Sequence, residues 1–147
     1  MEMTGQRKLP VERRRAWTAL NDPEMIKQCV PGCESMELQP EGHFALVMKV
    51  SLGPVNAKFK GKIWLEDVVE SISYTLNFSG DGVTAGFANG SARVLLADEE
   101  GATLMSYDVT AKIGGRLAQI GSRLIDSASR KMADDFFARF EKAVADL

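Results

Sequence analysis

The sequence predicts an α+β domain in which an antiparallel sheet is covered by one long C-terminal helix. Three observations predict it. Apolar and polar residues alternate in several segments between Phe44 and Ile113, turn residues separate these segments, and helical spacing follows from about Arg116 to Val144. The 147 residues, 45% of them hydrophobic, suffice for one core, so we expect a single domain over residues 1–147.

The first thirty residues predict a strand and two short helices. Met3 to Leu9 is the opening strand, and Pro10 is placed to begin a helix because its missing N–H costs nothing in a first turn. Asn21-Asp22-Pro23 ends that helix and offers a capping side chain for a second one, which Pro31-Gly32 ends.

About six antiparallel strands in meander order are expected next, each with one apolar face. The clearest alternation runs through four segments, Phe44 to Leu52, Val55 to Leu65, Ile72 to Phe78 and Thr103 to Ile113. Between Gly82 and Leu96 one strand face carries mainly glycine and alanine in place of large apolar side chains. This is typical of a bulge, a bend or the close approach of another group.

The segment from about Arg116 to Val144 has no Pro and one Gly, which predicts a helix on the order of 40 Å long. Its apolar stripe consists of Leu117, Ile120, Leu124, Ala128, Met132, Phe136, Phe140 and Val144. This stripe has to cover the sheet.

Small residues lie on both sides of the predicted contact between sheet and helix. They are Ala57, Gly61, Gly80, Gly86, Ala88, Gly90 and Ala92 on the sheet, and Gly121, Ser122, Ser127, Ala128 and Ser129 on the helix. Protein interiors pack at about 0.74 density, so a filled core sets large side chains against small ones. Two interpretations stay open: an apolar cavity, or a sheet that curves closely onto the helix.

A cavity between sheet and helix would resemble ligand pockets, which are mostly apolar with a few polar groups. The hydroxyl of Tyr74 or Tyr107 is available there to orient a carbonyl. The candidate lining residues are Phe44, Leu46, Phe59, Ile63, Tyr74, Leu76, Phe78, Ala88, Gly90, Tyr107, Leu117, Ile120, Leu124 and Ala128.

Charge and hydropathy exclude several classes of protein. The net charge of −2 disfavours a nucleic-acid binder that works by bulk positive charge. No stretch approaches the roughly 20 apolar residues of a membrane-spanning helix, and no export signal follows Met1. We therefore expect a cytoplasmic protein.

The sequence offers little for metal binding or catalysis. Cys29 and Cys33 flank a Val-Pro-Gly turn and are expected to be reduced thiols. A zinc site would need about two further ligands, and the only histidine, His43, follows turn residues. We expect no metal, no catalytic residues and no covalently bound cofactor.

Several motifs together resemble a known family. They are Asn21-Asp22-Pro23-Glu24, Val30-Pro31-Gly32-Cys33, Gly53-Pro54-Val55 with Ala57-Lys58-Phe59-Lys60-Gly61, Ala85-Gly86-Phe87-Ala88, and Gly114-Gly115-Arg116-Leu117-Ala118-Gln119 with Gly121-Ser122-Arg123-Leu124-Ile125. In order and spacing they resemble the G subunit of carbon monoxide dehydrogenase (CoxG), of the START-like (SRPBCC) helix-grip superfamily.

The resemblance implies a seven-stranded antiparallel sheet wrapped around a long C-terminal helix, with a hydrophobic cavity between them. It also implies an accessory protein of a molybdenum-containing carbon monoxide dehydrogenase or related hydroxylase. Such a protein docks that enzyme to the membrane or carries a quinone to it, so the redox chemistry belongs to the partner. Membrane-associated members continue past the long helix into an anchoring segment, whereas this chain stops at Leu147.

Three functional hypotheses remain. The first is a non-enzymatic carrier of a quinone or lipid, in peripheral contact with the inner face of the cell membrane. The second is a cavity enzyme such as a polyketide cyclase or aromatase, and the third is an assembly factor without a ligand. Lys49, Lys58, Lys60 and Lys62 share an outer face and are either a solvated surface or a docking surface for anionic lipid or an acidic partner.

Overall fold

The computed structural model describes residues 1–147 and contains one seven-stranded antiparallel sheet. The strands are β1 (Glu2–Leu9), β2 (Cys33–Leu38), β3 (Phe44–Leu52), β4 (Val55–Val69), β5 (Ser73–Asp81), β6 (Phe87–Glu99) and β7 (Ala102–Gly114). The helices are α1 (Arg13–Leu20), α2 (Pro23–Cys29), α3 (Arg116–Gln119) and α4 (Ser122–Ala145), and Val83–Ala85 forms a 3-10 turn. The strand order is β1-β7-β6-β5-β4-β3-β2, which confirms the predicted meander and fold class.

The strand register confirms which residues share a face. Phe44 lies opposite Ile63, Ile63 opposite Phe78, and Phe78 opposite Gly90. Because side chains of directly paired residues point to the same side, these residues form one continuous apolar face. We call it the inner face of the sheet.

The start of the first helix was predicted wrongly. Pro10 lies in a bend, and α1 begins at Arg13 after the N-cap residue Glu12. Leu9 is fully buried, and the Val11 carbonyl accepts a hydrogen bond of 2.8 Å from the Thr103 hydroxyl. Since residues 9–11 are held against β7, the helix can start only after them. The predicted cap of α2 is confirmed, because the Asp22 carboxylate accepts a hydrogen bond from the Glu24 N–H.

The long C-terminal helix is also shorter than predicted. It is interrupted at Gly121, whose φ of +97° lies in the left-handed region, so that α3 is a separate turn and α4 begins at Ser122. Leu117 and Ile120 therefore do not extend the α4 stripe. Leu117 is instead buried against Val55, Phe59 and Ala85.

The hydrophobic core is divided into two clusters. The main cluster joins β1, α1, α2, β5, β6, β7 and the C-terminal half of α4, and contains Leu9, Val11, Ala16, Ala19, Leu20, Met25, Cys29, Tyr74, Val94, Leu96, Met105, Phe137, Phe140 and Val144. The small cluster consists of Val55, Phe59, Ala85 and Leu117. The two clusters share no residue.

Two of the inner-face glycines are required by close backbone contact. A Cβ added to Gly90 would lie 2.2 Å from the Thr110 carbonyl oxygen and 2.9 Å from the Phe78 ring. A Cβ on Gly61 would lie 2.6 Å from the Ser79 carbonyl oxygen. These positions support the interpretation that glycine lets the sheet curve, and they leave no open space at Gly90. Gly80 differs, since its Cβ would meet only the Ala88 oxygen, at 3.8 Å.

Substituting these glycines tests the curvature requirement. We expect Gly90→Ala to lower the free energy of unfolding by more than about 2 kcal/mol, because backbone has to move. The matched variant Gly80→Ala should change it by less than about 1 kcal/mol, since its Cβ makes ordinary contact. Urea denaturation followed by circular dichroism measures both. Equal effects of the two variants would contradict this explanation.

Candidate functional site

Apolar side chains of the inner face remain only half-buried between the two clusters. These residues are Phe44, Leu46, Met48, Ile63, Phe78, Ala92 and Val109. Across from the sheet, Leu124 and Met132 of α4 are 39% and 40% exposed. A filled core would bury such residues almost completely. We call the accessible space that they bound the groove.

The groove exists because α4 is fixed at one end only. Its C-terminal half buries Phe137, Phe140 and Val144 in the main cluster, and the helix packs against α2 and β1. In the first ten residues of α4, only Ile125 is buried. The N-terminal half of the helix therefore leaves the inner face of β3 to β6 incompletely buried.

The structure separates the predicted lining residues into groups. Phe44, Leu46, Ile63, Phe78, Leu124 and Ala128 lie between the clusters, at the groove, whereas the half-buried Leu76 packs against the main cluster. Phe59 and Leu117 belong to the small cluster, with Ala88 and Ile120 packed against it. Tyr74 is buried in the main cluster, Gly90 lies under the Phe78 ring, and Tyr107 is half-buried beside Phe137.

Tyr74 is too enclosed to present its hydroxyl to a ligand. Its side chain is in the main cluster, with the ring edge-to-face against Trp17 at a centroid distance of 5.4 Å. Burial raises the pKa of the Tyr74 phenol well above its usual range. Of the two predicted tyrosines, only the half-buried Tyr107 remains accessible.

Sequence reasoning missed an arginine on the inner face. Arg7 of β1 ion-pairs with Asp134 of α4, and its guanidinium lies 5.0 Å from the centroid of the Phe137 ring. Hydrogen bonding to Asp134 raises the pKa of Arg7 by more than desolvation lowers it, and the nearby Tyr107 hydroxyl raises it further. Arg7 lies between Gln6 and Lys8. Because three consecutive polar residues show no alternation, the sequence did not indicate that Arg7 faces inward.

Two further pockets lie outside the groove. One, of about 590 Å³, is bounded by α2 and the C-terminal end of α4. The other, of about 220 Å³, is a crevice between β1 and α4 that includes Arg7, Tyr107 and Asp134. The inner-face residues of β3 to β6 line neither of them.

The four predicted surface lysines lie together on the outer face of β3 and β4. Lys49 is directly opposite Lys58, and both are exposed. The Lys58 ammonium is 3.2 Å from a Glu34 carboxylate oxygen, and Lys60 is paired across the sheet with Asp81. Acidic neighbours thus balance part of this positive charge.

Other features concern the cysteines and membrane insertion. Cys29 and Cys33 are free thiols, and burial raises the pKa of each. None of the helices has the length and apolar character to cross a bilayer. No three His, Cys, Asp or Glu side chains are grouped as metal ligands.

Comparison with protein families decides the relationship. The family model of the carbon monoxide dehydrogenase G subunit (CoxG) matches residues 5–145. The chain belongs to the CoxG family. None of the curated protein sequences matches this CoxG-family chain.

Solved structures confirm the START-like helix-grip fold of this CoxG-family protein. A conserved protein from Geobacillus kaustophilus is 26% identical, with a TM-score of 0.93 over 99% of this chain and 96% of that one. A START superfamily protein from Mycobacterium smegmatis is 10% identical, with a TM-score of 0.73 over 99% and 97%. A protein from Thermus thermophilus is 14% identical, with a TM-score of 0.71 over 99% and 97%.

The buried phenol of Tyr74 predicts a dependence of stability on alkaline pH. In the unfolded chain the phenol ionises near its ordinary pKa of 10.0, whereas in the folded protein the pKa is raised. Above about pH 10 the unfolded state therefore loses a proton that the folded state keeps, and stability falls as pH rises. Urea denaturation of the wild type and Tyr74→Phe at several alkaline pH values measures this. The decline should be shallower in the variant, and equal declines would contradict the assignment.

Proposed function

We propose that this CoxG-family protein is a non-enzymatic binding protein that holds the apolar part of a quinone or lipid in the groove. The observation that carries the proposal is the row of half-buried apolar side chains between the two core clusters. Burying apolar surface stabilises a complex by about 0.8 kcal/mol per methylene, so one five-carbon isoprenoid unit contributes about 4 kcal/mol before the cost of association. A ligand that covers Leu124 and Met132 buries apolar side chains that the protein alone leaves exposed.

The groove favours binding over catalysis. The residues that bound the groove carry no ionisable side chain, and Tyr74 of the same inner face is buried in the main cluster. A cyclase or aromatase needs a general acid or base within reach of its substrate. Among the three hypotheses, these residues support a carrier best.

We assign the redox chemistry to a partner, a molybdenum-containing carbon monoxide dehydrogenase or related hydroxylase. The family name is the support for this partner. The exposed lysines of β3 and β4 are the proposed contact surface for that enzyme or for anionic lipid at the cytoplasmic face of the membrane. Each lysine near an anionic bilayer contributes about 1 kcal/mol to binding.

Filling the groove from the helix side tests the carrier function. Ala128 of α4 is half-buried at the groove, whereas Ala138 is exposed on the same helix. We expect Ala128→Phe to weaken decylubiquinone binding at least about tenfold, because the phenyl ring occupies the ligand's space. Ala138→Phe is the matched control and should bind as the wild type does. Quenching of intrinsic tryptophan fluorescence measures the affinity.

Normal quinone and lipid binding by Ala128→Phe would place the ligand outside the groove. Absence of binding by the wild type, together with co-purification of hydroxylase subunits, would favour the assembly factor. Organic extraction of the protein purified from its native cells, followed by mass spectrometry, identifies the resident ligand.

A further inference from the structure

The crevice between β1 and α4 has a composition unlike that of the groove. Its lining includes Met3, Gly5 and Arg7 of β1, Tyr107 of β7, and Arg130 and Asp134 of α4. Two arginines oppose one carboxylate among these residues, so the crevice carries a net positive charge. Charged and phenolic side chains of the inner face thus meet at this crevice.

Packing holds the Arg7 guanidinium in place within the crevice. It stacks over Phe137, pairs with Asp134 and lies beside the Tyr107 hydroxyl. Gly5 makes this arrangement possible, because a Cβ there would lie 2.3 Å from the Tyr107 hydroxyl oxygen. A positioned guanidinium next to a hydroxyl donor is a suitable partner for a carboxylate.

The crevice adjoins the groove. Met3 lines the crevice and pairs across the sheet with Val109, which is one of the half-buried residues of the groove. On α4, Ala133 of the crevice directly follows Met132, which is exposed at the groove. An elongated ligand can therefore place its chain in the groove and its head in the crevice.

We propose that the crevice binds the carboxylate head of a single-chain amphiphile whose apolar chain lies in the groove. This inference rests on the proposed function, since the chain needs the groove. The volume of about 220 Å³ corresponds to about seven water molecules, which suits a carboxylate with a few methylenes better than a glycerophospholipid head group.

Asp134 is the natural competitor of such a carboxylate. Its side chain is 64% exposed, and its partner is Arg7. A surface ion pair of this kind contributes little to stability, so the ligand can displace it from Arg7. Removing the charge of Asp134 and removing that of Arg7 should therefore have opposite effects on ligand affinity, whereas a purely structural ion pair predicts the same effect from both.

The test compares a fluorescent fatty acid, 12-(9-anthroyloxy)stearic acid, with its uncharged methyl ester. We expect the wild type to bind the acid about tenfold more tightly than the ester. Arg7→Gln should reduce the affinity for the acid to that for the ester, and Arg130→Gln should reduce it in the same direction. Asp134→Asn should increase the affinity for the acid by a factor of about three or more.

Controls separate this proposal from the carrier function. Ester binding reports an intact groove in every variant, and Lys131→Gln, which removes an exposed charge from the same helix, should bind both probes as the wild type does. Equal affinity of the wild type for acid and ester, or equal losses in Arg7→Gln and Asp134→Asn, would overturn the carboxylate site alone. Absence of binding of both probes, and of decylubiquinone, by the wild type would overturn the carrier function as well.

Discussion

The rest of the structure depends on one constraint, which is that α4 packs into the main cluster only through its C-terminal half. Phe137, Phe140 and Val144 are almost completely buried in the main cluster, and they fix the height and direction of the helix above the sheet. The first ten residues of α4 bury only Ile125. Apolar burial is therefore concentrated at the C-terminal half of the helix, and the inner face of β3 to β6 is left incompletely covered. In the proposed carrier function, a ligand gains its binding energy by burying these incompletely covered apolar side chains.

The sheet contributes to the same result through its backbone. Gly90 brings β6 so close to β7 that an added Cβ would overlap the Thr110 carbonyl, and the Phe78 ring lies over the position without a side chain. This glycine lets the strands curve. The Phe78 ring already occupies the space that a side chain at position 90 would take. Accessible apolar surface remains at the nearby inner-face residues Leu46, Ile63 and Ala92. The sequence presents a cavity and sheet curvature as alternatives, and the structure shows the curvature at Gly90 and incomplete burial at other inner-face residues.

The sequence predicts the faces of the strands well because their period of two is strict, as from Phe44 to Leu52 and from Val55 to Leu65. It does not predict the interruption at Gly121, since one glycine is compatible with a continuous helix and only the packing of Leu117 in the small cluster separates α3 from α4. The short strand β2 does not alternate cleanly, so its position could not be read from the pattern. Of the lining residues, those on alternating strands were placed on the correct face, but the burial of Tyr74 and the inward position of Arg7 depend on contacts with α1 and α4.

Methyl-selective NMR during titration with decylubiquinone tests the groove most directly, because it reports contact residue by residue. The account predicts chemical-shift changes at the methyl groups of Leu46, Ile63, Leu124 and Met132, which lie between the two clusters. Leu9 and Val144, fully buried in the main cluster, should remain unchanged. Unchanged methyl groups throughout the inner face at saturating ligand, or changes confined to the main cluster, would contradict it.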